Sequence, residues 1–230
     1  MDRILRGAPG WQDSIADALE RAPRPLPFDE RLLPRTADGR VSRRRYDRRG
    51  FPPARPAATL LAIYPGVEGD LVIPLTVRHG DLRAHAGEVS LPGGAIDAAD
   101  ASAADAALRE AWEEVGLSPE LVRLVGQLDP VWIPVSNYEL LPFVGAVGER
   151  PTLVPHDAEV TSIVELPLAA LFDPDVVGVE QFASRGVVLR AGAYRFGGVR
   201  IWGATALTLG MLAHVLGTSV ELSGESAPTS

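Results

Sequence analysis

The chain has 230 residues, of which 46% are hydrophobic and 23% charged, values that exclude a wholly disordered chain and a fibrous repeat. Thirty acidic and 22 basic residues give a net charge of −8, which argues against a general binder of nucleic acids. There is no cysteine, so disulfides, thiolate metal sites and a cysteine nucleophile are excluded. Every basic residue is arginine, which also excludes lysine-based chemistry.

The N-terminal part of the chain is expected to form an extension outside the main domain. Residues 12–21 are amphipathic and predict a short helix, whereas residues 22–56 are rich in proline and arginine. Six arginines crowd ten positions there: Arg40, Arg43, Arg44, Arg45, Arg48 and Arg49. A solvated, mobile arm is the preferred interpretation, and arginines that hold substrate phosphates are the alternative. We therefore expect an extension over 1–50, one domain over 51–220 and a flexible tail over 221–230.

The remaining chain predicts more strands than helices. Expected strands lie at 57–63, 71–77, 121–128, 140–147 and 160–164, and a hairpin spans 187–201 with its bend at Gly197-Gly198. Expected helices lie at 101–115 and 203–216, with one helical turn at 166–171. Because strands and helices do not alternate regularly, an α+β fold with a mixed sheet is favoured over a doubly wound parallel sheet.

Neither a membrane span nor a signal peptide is visible in the sequence. No run approaches the roughly 18 consecutive apolar residues that a spanning helix needs, and the N-terminus lacks the apolar centre of a signal peptide. A cytoplasmic location and no membrane partner are therefore expected.

Residues 91–117 carry the most informative pattern, a Pro-Gly-Gly break followed by a helix with three glutamates. At about 100° per residue, Glu110 and Glu114 lie one turn apart on one face, with Glu113 beside them. Such close like charges repel, and a divalent cation such as Mg²⁺ or Mn²⁺ is a natural compensation. Arg109 can orient one carboxylate, and the glycines let backbone approach, so that the Gly93 carbonyl can join the coordination. A solvated acidic helix face is the open alternative.

This stretch resembles the Nudix box, Gly-x5-Glu-x7-Arg-Glu-U-x-Glu-Glu-x-Gly-U, where U is apolar. The second half matches at Arg109, Glu110, Ala111, Glu113, Glu114, Gly116 and Leu117. In the first half, the interval from Gly94 to Arg109 is one residue longer, and Asp100 or Asp97 replaces the glutamate. The resemblance implies the Nudix fold, a mixed curved β-sheet sandwiched between α-helices.

The longer box is similar to that of the coenzyme A pyrophosphatase branch of the Nudix hydrolases. An upstream motif of that branch is matched at Leu75, Thr76, Arg78, Arg83, Gly87, Pro92, Gly93 and Gly94. Pro74, His79 and Leu91 depart from it, which leaves the substrate open. Residues 141–145 and 201–206 also resemble that branch.

The resemblance implies metal-dependent hydrolysis of a nucleoside diphosphate linked to another moiety. The expected metal ligands are Glu110 and Glu114, then Glu113 and the Gly93 carbonyl, with Mg²⁺ or Mn²⁺ as the cofactor. The expected catalytic residues are Glu113 as the base, Glu110 and Arg109, and weaker candidates for the base are Glu139 and Glu159. The implied substrate is coenzyme A or an acyl derivative, which would give 3′,5′-ADP and 4′-phosphopantetheine or its acyl form.

Three further residues are candidates for substrate binding. Arg78 and Arg83 suit phosphate oxygens because guanidinium groups engage them bidentately, and surface salt bridges are the alternative. His85 can hydrogen-bond the substrate, although a place in a turn is preferred. Three aromatic residues are expected to serve packing: Trp112, Phe143 and Trp202.

Other functions remain open from the sequence alone. The same chemistry on ADP-ribose or NADH is the nearest alternative, and a non-catalytic ligand-binding protein on the same fold is another. RNA-end processing is disfavoured by the net charge. A homodimer is a family-level possibility, and the expected partner is a small nucleotide rather than a nucleic acid.

Overall fold

The computed structural model describes residues 2–36, 40, 48–78, 88–156, 160–173, 176–184 and 187–224. Its helices are α1 (Asp2–Leu5), α2 (Trp11–Arg21), α3 (Ala103–Val115) and α4 (Gly203–Gly224), and short 3₁₀ turns lie at Glu30–Leu32, Pro119–Leu121 and Leu168–Phe172. Its strands are β1 (Arg35–Thr36), β2 (Arg55–Pro65), β3 (Leu71–Arg78), β4 (Val89–Ser90), β5 (Gly93–Ala95), β6 (Val122–Gln127), β7 (Val131–Ile133), β8 (Tyr138–Val147), β9 (Val160–Pro167), β10 (Val177–Ser184), β11 (Val187–Phe196) and β12 (Val199–Ile201).

The described strands form two sheets. The larger sheet has the order β4-β3-β2-β8-β6, with β5 paired to β2, β7 to β8 and β9 to β3. Its centre is the parallel pair of β2 and β8, from Arg55 opposite Tyr138 to Ile63 opposite Ala146, while its other pairs are antiparallel. The smaller antiparallel sheet contains β1, β10, β11 and β12. The mixed sheet matches the predicted α+β fold.

Strand β2 supplies both sides of the core, because successive side chains of a strand point to opposite faces. Leu60 and Ala62 pack in the cluster that contains the buried face of α3. Leu61 and Ile63 pack in the larger cluster on the opposite face, together with α2 and α4. A strand covered on both faces has no polar side, which explains the continuous apolar run of β2. The larger sheet is therefore sandwiched between helices.

The N-terminal segment belongs to the larger core cluster. Trp11, Ile15 and Leu19 of α2 are buried there, and so are Leu26 and Leu32. The predicted mobile arm is therefore wrong for Leu26 and Leu32, because these leucines bury apolar surface that an arm would expose. Three of the crowded arginines, Arg43, Arg44 and Arg45, lie outside the described residues, and a domain boundary at residue 50 stays a proposal.

Most of the predicted elements are confirmed, within a few residues at their ends. The three predicted helices correspond to α2, α3 and the first part of α4, and the hairpin bends at Gly197-Gly198 between β11 and β12. The sequence did not predict β1, β4, β5, β7 or β10. Two of these strands have three residues each, too short for a visible alternation of polar and apolar positions. None of the described helices is long and apolar enough to cross a membrane.

Leu32 tests whether the N-terminal segment contributes to the core. It is fully buried, and a Cβ on Gly210 or Gly192 would come within 2.6 or 3.1 Å of its methyl groups. We expect Leu32→Ala to lower the free energy of unfolding by about 2–5 kcal/mol, because the cavity left behind cannot fill. Phe28→Ala, at an exposed position, should change it little. Equal denaturant midpoints for both variants would show that Leu32 is not part of the core.

Candidate active site

Helix α3 is fixed at both ends and docks through its alanines. The Ser102 hydroxyl accepts a hydrogen bond from the Asp105 N–H at 3.1 Å, which caps the first turn. Gly116 ends the helix with φ 70°, a left-handed conformation that favours glycine. Between these ends, Ala107 and Ala111 are completely buried against the large sheet. The small side chains let the helix approach β2 and β5 closely.

Two glycines bring the backbone of β5 against this helix. Gly93 and Gly94 pair with Thr59 and Ala58 of β2. A Cβ on Gly93 would come within 2.4 Å of the Ala58 carbonyl oxygen, and a Cβ on Gly94 within 2.5 Å of the Glu110 carboxylate. Both distances are far below van der Waals contact, so a larger residue at either position would displace the strand or the carboxylate. The Glu110 carboxylate therefore lies directly over the β5 backbone, in agreement with the predicted close approach.

A second carboxylate of α3, that of Glu114, is buried against this strand. Glu114 is only 5% exposed, and its Oε2 accepts a hydrogen bond from the Gly93 N–H at 3.2 Å. Its Oε1 lies 3.6 Å from Nη1 of Arg78, which is the last residue of β3. A buried carboxylate is costly without hydrogen bonds or a nearby positive charge. Gly93 and Arg78 provide both.

Arg109 gathers the remaining acids around one guanidinium. Its Nε and Nη2 donate to the two oxygens of Asp100 at 2.9 and 3.0 Å, and Nη2 also donates to the Ala95 carbonyl at 3.1 Å. Its Nη1 donates to Glu110 at 3.0 Å and to Glu113 at 2.9 Å. Hydrogen bonding by Arg109 holds the pKa of the Asp100 carboxyl below its usual value. Arg109 therefore bonds three carboxylates at once, and its predicted role in orienting one of them stays a prediction.

Asp100, rather than Asp97, takes the position of the missing box glutamate beside Arg109. The Asp100 carboxylate is nearly buried and bonds the guanidinium bidentately. The Asp97 carboxylate is exposed and lies 4.0 Å from the same guanidinium. The shorter side chain of aspartate reaches Arg109 in spite of the one-residue-longer interval.

Glu113 does not share the face of the other two glutamates. Its side chain is 55% exposed and its Oε2 is bound to Arg109. Neighbouring helix residues are about 100° apart, so Glu113 and Glu114 cannot both face β5. Within the described residues, no three histidine, aspartate or glutamate side chains stand close enough together to hold a metal ion.

A divalent cation nevertheless fits the inner pair of carboxylates. Glu110 and Glu114 offer hard oxygen donors, the type that Mg²⁺ and Mn²⁺ prefer. Both side chains lie against the Gly93-Gly94 backbone, where the missing Cβ atoms leave room for a carboxylate. Glu113 lies on the neighbouring face, and its Oε2 is held by Arg109. The pair is therefore the part of the predicted ligand set that the fold brings together.

A cavity of about 800 Å³ extends from this backbone. Its wall includes Gly93 and Gly94, the side chains of Arg55 and Arg78, and three aromatic residues, Trp132, Tyr138 and Trp202. This volume is in the range of small-molecule binding sites. Trp202 was expected in the core but is only partly buried and lines the cavity, because it precedes α4 at the cavity edge.

The aromatic wall was missed by the sequence reasoning. Trp132 packs edge to face on Phe51, with ring centroids 5.1 Å apart, and the Arg48 guanidinium lies 5.2 Å from the Trp132 ring centroid. Arg48 also binds Glu139 at 2.5 Å, so this candidate base is held in an ion pair. The available signal was the cluster of aromatic residues and prolines over 130–138, next to a predicted strand.

Other predicted residues have different outcomes. Trp112 is 54% exposed, so its predicted packing role is wrong, because it lies on the solvent side of α3. Phe143 is partly buried and packs on the cluster around α3, as expected. Arg83, His85 and Glu159 lie outside the described residues, so their predicted roles stay predictions.

Comparisons with known proteins agree with this geometry. The family model described as the NUDIX domain matches residues 54–184. An uncharacterized Nudix hydrolase, NudL, of Pectobacterium atrosepticum is 44% identical over 98 residues, covering 43% of this chain and 50% of that protein. NudL of Escherichia coli strain K12 is 38% identical over 163 residues, covering 71% of this chain and 83% of that protein. The matched part thus spans only half of the first relative.

Solved structures were compared as well. A crystal structure of a Nudix hydrolase from M. smegmatis, RenU, is 17% identical, with a TM-score of 0.43 over 77% of this chain and 90% of that one.

The chain therefore belongs to the Nudix hydrolase family, on the strength of the family model and the NudL relatives. This membership confirms the resemblance to the Nudix family and the fold class, and members of this family generally use divalent metal ions.

The two glycines of β5 give a matched pair of variants. Gly93→Ala should lower the melting temperature by several degrees, because the new methyl meets the Ala58 backbone, which cannot move away. Gly94→Ala should keep the melting temperature and displace the Glu110 carboxylate, which is the end of a flexible side chain. Thermal unfolding and metal titration of both proteins check this. A stable Gly94→Ala protein with unchanged metal affinity would contradict the contact.

Thr59 gives a stability test on the same strand. Its hydroxyl is buried and has no hydrogen-bond partner within the described part of the chain. We expect Thr59→Val to raise the stability by about 1 kcal/mol, or roughly 2–4 °C, since it replaces an unsatisfied hydroxyl with a methyl. Thr76→Val is the control, because its buried hydroxyl bonds Ser90 and its loss should destabilise. Melting curves that move the same way for both would contradict this assignment.

Proposed function

We propose that the protein hydrolyses the diphosphate bond of coenzyme A or an acyl-coenzyme A, giving 3′,5′-ADP and 4′-phosphopantetheine or its acyl form. The observation that carries this proposal is the placement of Glu110 and Glu114 on the Gly93-Gly94 backbone, at the edge of a cavity that Arg78 also lines. The longer box and the upstream motif, which includes Arg78, support this substrate rather than another nucleoside diphosphate derivative.

The substrate sets the chemical problem. A diphosphate carries several negative charges, which repel an approaching water molecule. Mg²⁺ or Mn²⁺, when bound, neutralises phosphate charge and lowers the pKa of a coordinated water. The net charge of the chain is itself −8, so local positive groups must attract the substrate.

The side chains at the site have distinct proposed roles. Glu110 and Glu114 hold the cation, with the Gly93 carbonyl and Glu113 as further ligands. Arg78 lies 3.6 Å from Glu114 and has a partly exposed guanidinium, which suits it to bind a phosphate oxygen close to the metal ligands. Arg109 orients Glu110 through a hydrogen bond of 3.0 Å.

Glu113 is the proposed base. It is the glutamate of the helix that reaches solvent, and Arg109 holds it through one oxygen, Oε2. A carboxylate held in this way accepts a proton from a water on its other oxygen. Arg83 and His85 are proposed as further substrate contacts on the ground of the upstream motif alone.

The wider setting is proposed from the sequence. It includes a cytoplasmic location, a small nucleotide as the partner rather than a nucleic acid or a membrane, and a homodimer as a possible assembly.

The substrate assignment is tested with a panel of coenzyme A, acetyl-coenzyme A, ADP-ribose, NADH and diadenosine polyphosphates, each with Mg²⁺ and with Mn²⁺. We expect the highest kcat/KM with coenzyme A or its acyl form, and equal amounts of 3′,5′-ADP and the phosphopantetheine product. A higher kcat/KM with ADP-ribose or NADH would show that the substrate is that compound and not coenzyme A. No turnover of any compound, with tight binding of one, would indicate a ligand-binding protein.

The metal ligands are tested by charge removal. Glu114→Gln and Glu110→Gln should each lower kcat by roughly 100-fold or more, because a lost ligand removes several kcal/mol of charge stabilisation. Glu120→Gln changes an exposed glutamate of a 3₁₀ turn and should leave kcat unchanged. Full activity in Glu114→Gln, with its melting temperature preserved, would show that the ligands are wrongly assigned.

A further inference from the structure

Arg55 is an exposed residue that lines the cavity. It is the first residue of β2 and lies opposite Tyr138 in the parallel pair with β8. Its guanidinium lies 4.1 Å from the centroid of the Tyr138 ring, and Nη2 donates to the Ser136 carbonyl at 3.0 Å. Stacking on a ring leaves the N–H edges of the guanidinium available for hydrogen bonds in its own plane. The Arg55 guanidinium is therefore held in one orientation and keeps N–H groups that can donate to a ligand.

The charge of Arg55 is not balanced by a carboxylate among the described residues. Arg48 provides a contrast outside the cavity lining, because its guanidinium lies over Trp132 but also binds Glu139 at 2.5 Å. Two arginines thus occupy similar stacked positions, and only Arg48 is neutralised. In a protein with a net charge of −8, an unbalanced guanidinium in a cavity favours an anionic ligand.

Arg55 lies at a distance from the metal-binding carboxylates, on the same face of the strand as Thr59. Thr59 pairs with Gly93, whose N–H binds Glu114. Arg55 and Thr59 are four positions apart along the strand, which corresponds to about 13 Å between their backbones. Both Arg55 and Arg78 line the cavity, and Arg78 lies 3.6 Å from Glu114. A ligand with two separated anionic groups would meet an arginine at each.

We propose that Arg55 binds a phosphate monoester of the substrate that is remote from the bond to be cut, and that it thereby selects substrates that carry this group. This inference rests on the proposed function, in which that group is the 3′-phosphate of coenzyme A. ADP-ribose and NADH have no such phosphate, so Arg55 would also explain a preference against them. Arginine suits the task because it combines stacking with bidentate binding of phosphate oxygens.

The test compares coenzyme A with dephospho-coenzyme A, which differs only by the 3′-phosphate. The wild-type protein should prefer coenzyme A by roughly 10- to 100-fold in kcat/KM, the value of a charge-assisted hydrogen bond. Arg55→Gln should lose this preference through a higher KM for coenzyme A, with kcat and the constants for dephospho-coenzyme A little changed. Arg48→Gln is the matched control and should keep the preference.

A binding measurement without turnover separates recognition from catalysis. Calorimetric titration with 3′,5′-ADP and with 5′-AMP should show tighter binding of 3′,5′-ADP to the wild-type protein and equal binding of both to Arg55→Gln. A role of Arg55 only in holding Tyr138 would weaken both nucleotides alike and leave their ratio intact, which would overturn the inference.

The remaining outcomes separate the two proposals. Wild-type protein that hydrolyses both coenzymes equally well would overturn the role of Arg55 and leave the proposed reaction standing. Wild-type protein that hydrolyses neither coenzyme, but cleaves ADP-ribose or NADH, would overturn the proposed substrate and this inference with it. Retention of the full preference in Arg55→Gln would show that another residue reads the phosphate.

Discussion

The geometry of this site depends on two neighbouring glycines, Gly93 and Gly94, that have no Cβ atom. At Gly93 and Gly94, strand β5 runs so close to β2 and α3 that a Cβ would collide with the Ala58 carbonyl or with the Glu110 carboxylate. This approach places the Glu110 carboxylate on the backbone and lets the Gly93 N–H bind Glu114. It also puts the same backbone in the wall of the cavity. The carboxylates and the cavity therefore meet at one strand of three residues.

Charge is distributed around that strand in two layers. Arg109 takes up the outer acids, Asp100 and Glu113, and holds one oxygen of Glu110. Glu114 remains inside, beside Arg78. Five hydrogen bonds from one guanidinium keep several carboxylates close together without large mutual repulsion. Arg109 thus keeps these carboxylates close together. Without it, exposed glutamates on a helix would turn away from one another because they repel.

Local patterns were enough to predict the helix of the site and the close approach of the Gly93-Gly94 backbone. The spacing of Glu110 and Glu114, the glycines before the helix and Gly116 after it all act over short distances in sequence. The orientation of Glu113 was not predictable in this way, since it depends on where the Arg109 side chain ends. The cavity wall was also missed, because Arg55 and Tyr138 become neighbours only through a parallel pair that joins strands far apart in the chain.

The N-terminal segment shows the same limit on a larger scale. Its proline and arginine content suggested an arm, but the decisive residues are a few leucines whose partners lie more than 150 positions later, as with Leu32 beside Gly192 and Gly210. The composition of the segment describes the sequence neighbours of those leucines. It carries no information about glycines that are distant in sequence and pack on them in the fold. The exposure of Trp112 has a similar origin, because the α3 face that meets the sheet was filled by alanines.

The position of Leu32 also has a consequence for how the molecule is made. During synthesis this side chain leaves the ribosome long before β11 and α4, which enclose it, have been translated. Until those elements have been made, Leu32 lacks the neighbours Gly192 and Gly210 that cover it. The packing of Leu32 therefore depends on residues that are made more than 150 positions after it.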